Sequence, residues 1–325
     1  MRPKLLVHTK GSGHDTHIPT TAKAAVELAV KEGMNVEGVE SLPEIKRRLL
    51  LPRHDPKNAS GALSAATSGD LVAIARGIEP IWLINPETGK QERLLSPLAA
   101  VLPTVEKGKH FILNDAGAHA EIGWFQVAIG ALLCGSYHRA AYNSLYPIYG
   151  IHSIGGETHK LHPEAAKIYD FLKGNGRGRT VRIAEPEVAF SGGIQVLVVR
   201  NGEIGNTLLK TAETSIRALN NVIKQEVTSE LWSKLMVGMA QNAFHRVKER
   251  IYHDDVHGAL LLGSGQLLMK QHGRVEADEL LHALKRLERY ALKDTLARMR
   301  QNFFQELARL HPEVLPPPPE RVAVG

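Results

Sequence analysis

"KLLVHTKGSGHDTHIPTTAKAAVELAVKEG", residues 4–33, decides the fold. Residues 4–8 form a short apolar run of strand length. The glycine loop Lys10-Gly11-Ser12-Gly13 follows. From residue 20 to 32 the chain is alanine-rich, which predicts a helix with Thr20 or Thr21 as its N-cap. Gly33 ends it. Strand, glycine loop and helix in that order open an α/β fold.

Working outward, the same rhythm returns. Residues 43–51 read as a short helix, and 70–75 as a strand or the end of a helix. Strands are predicted at 98–102, 111–113, 149–154 and 194–199. Helices are predicted at 121–142, 163–173 and 207–226. Between them stand Asp115-Ala116-Gly117, Gly155-Gly156 and Asn201-Gly202. A parallel or mixed sheet covered on both faces accounts for this alternation.

Two stretches stand apart from the rhythm. In "HDDVHGALLLGSGQLLMKQHG", residues 253–273, two apolar runs flank Gly263-Ser264-Gly265. This is a buried hairpin, or a place where backbone comes close to a ligand. In residues 228–251, Leu231, Trp232, Leu235, Met236, Met239, Phe244 and Val247 share one helical stripe. With the preceding helix it predicts a helix pair at 207–251, packed in the core or a dimer interface or touching a membrane. Residues 1–310 are expected to form one domain. Residues 311–325 form a proline-rich, extended tail.

Composition narrows the function. The 325 residues are 43% apolar, enough for a sizeable core. The single cysteine, Cys134, excludes an intrachain disulfide and four-cysteine zinc sites. No stretch has the length of a membrane span or the apolar region of a signal peptide, so a cytoplasmic protein is expected. The net charge is +6, but aromatic residues make up only 5%, which argues against a nucleic-acid surface. A basic surface suits an acidic protein, a phosphorylated substrate or an anionic membrane.

Ligands of open α/β sheets bind where strands end and helices begin. Here those loops carry glycine and precede helices, an arrangement suited to anions. No P-loop and no Gly-x-Gly-x-x-Gly dinucleotide motif is present. Gly-x-Ser-x-Gly is absent too, and Cys134 lies in an apolar helix, so no covalent nucleophile is expected. His8, His14, Asp15 and His17 have ligand chemistry but no third cluster to complete a metal site. No metal or cofactor is expected.

Several blocks resemble the PlsX family of acyl-acyl-carrier-protein:phosphate acyltransferases. "SPLAAVLPT" (96–104), "ILNDAGAHAE" (112–121) and "NGEIGNTLLKTAE" (201–213) are similar to family segments in the same order. The most specific likeness is the 258–273 stretch, through Gly258, Ala259, Leu261, Leu262, Gly263, Gly265, His272 and Gly273. Departures fall at Thr67, Asp70, His119 and Asn201, and the glycine loop at 10–17 is rich in histidine.

The resemblance implies a three-layer α/β/α sandwich similar to isocitrate and isopropylmalate dehydrogenases and phosphotransacetylases, with a protruding helix pair. It implies transfer of a fatty acyl group from acyl carrier protein to inorganic phosphate, for phospholipid synthesis. The alternatives are an acyltransferase using a coenzyme A thioester, and a member that binds a ligand or partner without turnover. Lys210, Asn206 and His272 are the expected catalytic residues. Gly11, Gly13, Asp15, His17, Ser68, Asp115, Gly117, His119, Gly205, Gly263 and Gly265 are the expected substrate-binding ones; Asp115, Gly117, His119, Gly205, Asn206, Lys210 and the Gly263–Gly265 turn are expected around one cleft. A homodimer with peripheral membrane contact is the expected assembly.

Overall fold

The structure is a computed structural model that describes residues 2–10, 17–52, 55, 57–64, 68–75, 78, 80–174, 179–229, 242, 246–247, 256–271 and 276–317. It opens with strand β1 (Leu5–His8), helix α1 (His17–Lys31) and strand β2 (Val36–Val39). Helix α1 begins three residues before the expected threonine caps. Pro19 thus falls in its first turn, where a missing N–H costs nothing. Then follow α2 (Leu42–Leu49), β3 (Gly61–Ser64) and α3 (Ser68–Ala75), which settles the open reading of 70–75 as helix. Ser41 caps α2 through its side chain, and a proline sits in the first turn.

A small antiparallel pair, β4 (Trp82–Ile84) and β5 (Gln91–Arg93), stands outside the main sheet. The chain returns with β6 (Leu98–Pro103), β7 (His110–Asn114) and α4 (Trp124–Tyr142). Next come β8 (Tyr149–His152), α5 (Pro163–Lys173), β9 (Val181–Ala184), α6 (Pro186–Phe190) and β10 (Val196–Val198). Helix α7 (Gly202–Ser229) follows, starting five residues earlier than expected. Strands β11 (Ala259–Leu261) and β12 (Leu267–Lys270) precede α8 (Ala277–Leu292) and α9 (Thr295–Leu310). The last two helices are not among the expected elements.

Ten strands form one sheet in the order β2-β1-β3-β12-β11-β6-β7-β10-β8-β9. Side chains alternate between two cores, as the period of a strand requires. Leu5, Val7, Leu63, Val101, Ile112, Val196 and Met269 face α1, α4, α5, α8 and α9. Leu6, Ala62, Leu102, Leu113, Leu197 and Leu268 face α2, α3, α6 and α7. Helix α4 is apolar on every side because the sheet, α5 and α9 enclose it.

The pairing directions matter most for function. Strands β2, β1, β3 and β12 are mutually parallel. Strands β7, β10, β8 and β9 are also mutually parallel. Between these halves three successive pairings are antiparallel: β12 with β11, β11 with β6, and β6 with β7. Three reversals leave the two halves running in opposite directions. Loops after β1, β3 and β12 therefore leave one end of the sheet, and loops after β7, β8 and β10 leave the other. The loops that carry the expected site residues are therefore divided between the two ends of the sheet.

The first helix of the expected pair is α7, whose distal half is largely exposed, with Leu219, Val222 and Ile223 in solvent. The second helix of the pair lies outside the described residues, apart from three scattered positions. The tail is described only to residue 317, and its first part is not extended: Pro312–Val314 form a 3-10 turn that buries Val314 in the core.

Candidate active site

The two ends of the sheet divide the expected site residues. At the end where β7 and β10 finish, the loop 115–119 packs beneath the first turns of α7. The Asp115 carboxylate accepts from the amides of Leu98 (2.8 Å), Ala118 (3.0 Å) and His119 (3.1 Å). His119 Nδ1 lies 3.2 Å from the same carboxylate. Three amides and an imidazole satisfy this buried acid, so it holds the loop in place.

Glycine is required where α7 crosses that loop. A β-carbon on Gly205 would lie 1.8 Å from the Asp115 carbonyl oxygen, and one on Gly202 2.3 Å from that of His119. The Gly202 amide donates to the His119 carbonyl at 2.9 Å. Across the same contact, Gly117 has a φ of +106° and lies against the Asn206 side chain. Asp115, Gly117, His119, Gly205 and Asn206 are thus neighbours, joined by close backbone packing.

The 263–265 turn lies at this same end of the sheet. The Leu262 amide donates to Pro97 at 3.0 Å, next to the Leu98 that Asp115 holds. Gly263 and Gly265 take φ of +78° and +74°, and Ser264 Oγ donates to Gln266 at 2.9 Å. The structure decides between the two readings of this stretch. It is an antiparallel hairpin, with Ala259 opposite Lys270 and Leu261 opposite Leu268.

The opposite end gathers different chemistry. There β1, β3 and β12 finish side by side, with Lys270 in register with Ser64 and His8 in register with Ser64 across the next pair. Ser64 Oγ lies 3.2 Å from His8 Nδ1. Burial holds His8 below the usual imidazole pKa, against the opposing pull of Asp70. Helices α1 and α3 begin at this end, so His17 and Ser68 stand at helix starts. Gly11, Gly13, Asp15 and His272 lie outside the described residues.

Lys210 belongs here. It is two turns along α7, and its charge acts on Lys270. Burial first, and Lys210 second, lower the Lys270 pKa, while Glu213 raises it. Lys210 Nζ makes a 2.8 Å ion pair with Glu213. Lys270 is a residue that sequence reading missed. Its signal was a lone lysine ending an otherwise apolar strand, which only the strand direction turns into a site residue.

Cys134 is fully buried, and burial pushes its thiol well above the ordinary range. A thiolate nucleophile at that position has no access and no stabilisation. Among the described residues no group of three or more His, Cys, Asp or Glu is placed to hold a metal ion.

An apolar groove runs along the other flank of α7, facing α6. Its volume is about 1100 Å³. Phe190, Ile204, Leu208 and Ile216 line it, with Arg200 and His152 at one end.

The same fold occurs among solved structures. A branched-chain phosphotransacylase from Enterococcus faecalis superimposes with a TM-score of 0.52, covering 89% of this chain and 98% of that one at 14% identity. The sequence then settles the family. The model for the fatty acid synthesis protein family matches residues 49–298, and the chain belongs to that family. Phosphate acyltransferases are among its relatives. One from Shouchella clausii is 26% identical over 280 residues, 86% of this chain and 77% of that protein. Another, from a Picosynechococcus species, is 29% identical over 308 residues, 92% of this chain and 78% of that protein.

Proposed function

We propose that the protein transfers a fatty acyl group from a thioester to inorganic phosphate, giving an acyl phosphate and a free thiol for phospholipid synthesis. What supports this reading is the end of the sheet where α1 and α3 start, at which Lys270 ends β12 in register with Ser64 and feels the charge of Lys210. Two ammonium groups, one of them partly buried, beside two helix N-termini suit a dianion. The names of the curated relatives support the same acceptor.

In this scheme phosphate is the nucleophile. One of its oxygens forms the new bond to the thioester carbon, the C–S bond breaks, and the thiolate takes up the proton that phosphate gives up. Lys210 and Lys270 hold phosphate and balance the charge that grows in the transition state. Asn206, one turn before Lys210 on α7, orients the thioester, and Gly11, Gly13, Asp15, His17, Ser68 and His272 are kept as candidate contacts. Asp115, Gly117, His119, Gly205 and the Gly263–Gly265 turn keep α7 and its lysine in register. No acyl-enzyme forms, in keeping with the buried Cys134.

The donor in this reading is acyl carrier protein rather than coenzyme A, because a net charge of +6 favours an acidic protein partner. The exposed Leu219, Val222 and Ile223 of α7 serve as a contact between two copies. The reaction is placed in the cytoplasm, with the product released toward the membrane face. No helix among the described residues is long and apolar enough to cross a membrane.

The test is thiol release from palmitoyl-acyl carrier protein and palmitoyl-coenzyme A, with and without phosphate. Release that requires phosphate and is faster with the carrier protein is expected. Equal release without phosphate would make the protein a hydrolase. No release from either donor would leave a binding protein.

A further inference from the structure

We infer that Ser64 and His8 form a proton relay for the acyl transfer, in which Ser64 takes the proton of the attacking phosphate and passes its own to His8. The inference rests on the acyl-transfer reading for its reaction, but on the sheet for its geometry.

Three strand ends place the groups in a row. His8 pairs with Ser64 across β1 and β3, and Ser64 pairs with Lys270 across β3 and β12. Paired residues of parallel neighbours point to one face of the sheet, about 4.8 Å apart. That face is the one α3 and α7 cover, because Leu6, Ala62 and Leu268, two residues earlier on each strand, lie in its core. An imidazole, a hydroxyl and an ammonium thus follow one another along the end of the sheet. An anion held by Lys270 is about one strand spacing from the Ser64 hydroxyl.

The strands also fix the proton on the ring. β2 and β3 flank β1 on opposite sides. From the β3 side, Ser64 Oγ lies 3.2 Å from His8 Nδ1. From the β2 side, the backbone of Glu40 hydrogen-bonds the ring and favours its protonation, as an accepting carbonyl does. Partners on opposite sides of an imidazole meet different nitrogens. The Glu40 carbonyl therefore takes the proton of Nε2, Nδ1 keeps its lone pair, and Ser64 donates to it.

The charges suit a base that holds a proton only in passing. His8 and Ser64 are both buried. Burial keeps the ring neutral at rest, so it can accept. The Asp70 carboxylate on α3 favours the imidazolium that then forms, while Lys10 opposes it.

The step balances. A phosphate oxygen bonds to the thioester carbon while the phosphate O–H gives its proton to Ser64 Oγ. The Ser64 proton moves to His8 Nδ1. As the C–S bond breaks, the proton returns by the same path to the thiolate, which leaves acyl phosphate, free thiol and a neutral ring. Ser64 itself forms no bond to carbon.

Proton transfer of this kind contributes about 10²–10⁴-fold to a rate. The test uses Ser64→Ala and His8→Gln, with palmitoyl thioester and phosphate both saturating. The first readout is kcat, expected to fall at least about a hundred-fold in each. The second is kcat in mixtures of light and heavy water, which a merely structural role would not move. Its dependence on the deuterium fraction should be curved in the wild type, with two protons in flight, and linear in the residual activity of Ser64→Ala. The third needs no turnover. Nitrogen NMR of the His8 ring should show Nδ1 unprotonated at neutral pH, with a signal that inorganic phosphate shifts in the wild type and not in Ser64→Ala.

If the wild-type protein turns over no thioester, a phosphate shift at His8 that Ser64→Ala abolishes still upholds the relay while the acyl-transfer reading fails. A folded Ser64→Ala with full kcat overturns the inference while that reading stands. So does a proton on Nδ1, and so does an acyl group trapped on Ser64, which would make the serine the nucleophile. Should neither variant fold, the wild-type ring signals decide, and a His8 signal that phosphate leaves unmoved overturns the inference.

Discussion

Gly205→Ala tests whether the crossing of α7 over the 115–119 loop is as tight as the structure shows. The new methyl would sit 1.8 Å from the Asp115 carbonyl oxygen, when ordinary contact begins at 3.4 Å. One side must therefore move by about 1.6 Å. Neither side is free to do so. Asp115 is pinned by three amides, and the Val199 amide holds the Asn114 carbonyl at 3.0 Å. On the other side Gly202 is tied to His119. Overpacking of this kind costs about 1–3 kcal/mol, and each displaced hydrogen bond adds about 1 kcal/mol. Alanine regains about 1 kcal/mol of helix propensity over glycine. The net expectation is a loss of about 2–4 kcal/mol, or roughly 3–6 °C in Tm for a chain of this length. Thermal unfolding of the purified variant is the assay. Gly156→Ala is the control: a β-carbon there meets nothing within 4 Å, and the change should stay within about 0.5 kcal/mol. A Gly205→Ala protein as stable as the parent would refute the tight crossing, and with it the positioning of Lys210 through that loop.

Three other expectations follow from the same physics. Lys270→Met and Lys210→Met should each raise the KM for phosphate by roughly ten-fold or more while moving the thioester KM little, the scale of one charged hydrogen bond. Because Lys210 helps to lower the Lys270 pKa, the loss of phosphate affinity with rising pH should shift to higher pH in Lys210→Met; no shift would separate the two lysines. Arg179→Met should destabilise by about 3–5 kcal/mol, because it strands Glu306, whose Oε1 lies 2.6 Å from the Arg179 guanidinium in a buried pair. The double variant Arg179→Met/Glu306→Leu should recover much of that loss in denaturant titrations. His138 is buried and its pKa is lowered to about 3, so the unfolded chain takes up a proton between pH 6.5 and 3 that the folded one refuses. Stability should fall with pH across that window by up to about 1.4 kcal/mol per unit from this group, and His138→Asn should flatten the slope.

The strand–loop–helix rhythm was legible because apolar runs in buried strands leave a strong local signal. The sheet covered on both faces followed from it, while the hairpin around Gly263 was one of two readings of a stretch outside that rhythm. Strand direction carries no local signal, since a parallel and an antiparallel neighbour can bury the same leucines. The expectation of one cleft failed there: Lys210 and Gly263 were matched to family segments correctly in order, yet the reversals at β11, β6 and β7 put them at different ends of the sheet. Lys270 was hidden for the same reason. The glycines of α7 were read as ligand contacts, because a sequence shows that a β-carbon is missing but not which backbone fills its place.

The place of β12 in the sheet also bears on synthesis. Its partner β3 ends at Ser64, whereas β12 ends at Lys270, roughly two hundred residues later. At about 5–20 residues per second, β3 leaves the ribosome some 10–40 s before the strand that covers its open edge. Until then β1, β2 and β3 can form only a three-stranded fragment with one apolar border unpaired. A nascent chain halted before β11 should therefore be held by chaperones or aggregate, and β11 and β12 act as a clasp that closes the sheet only after its eight other strands have been made.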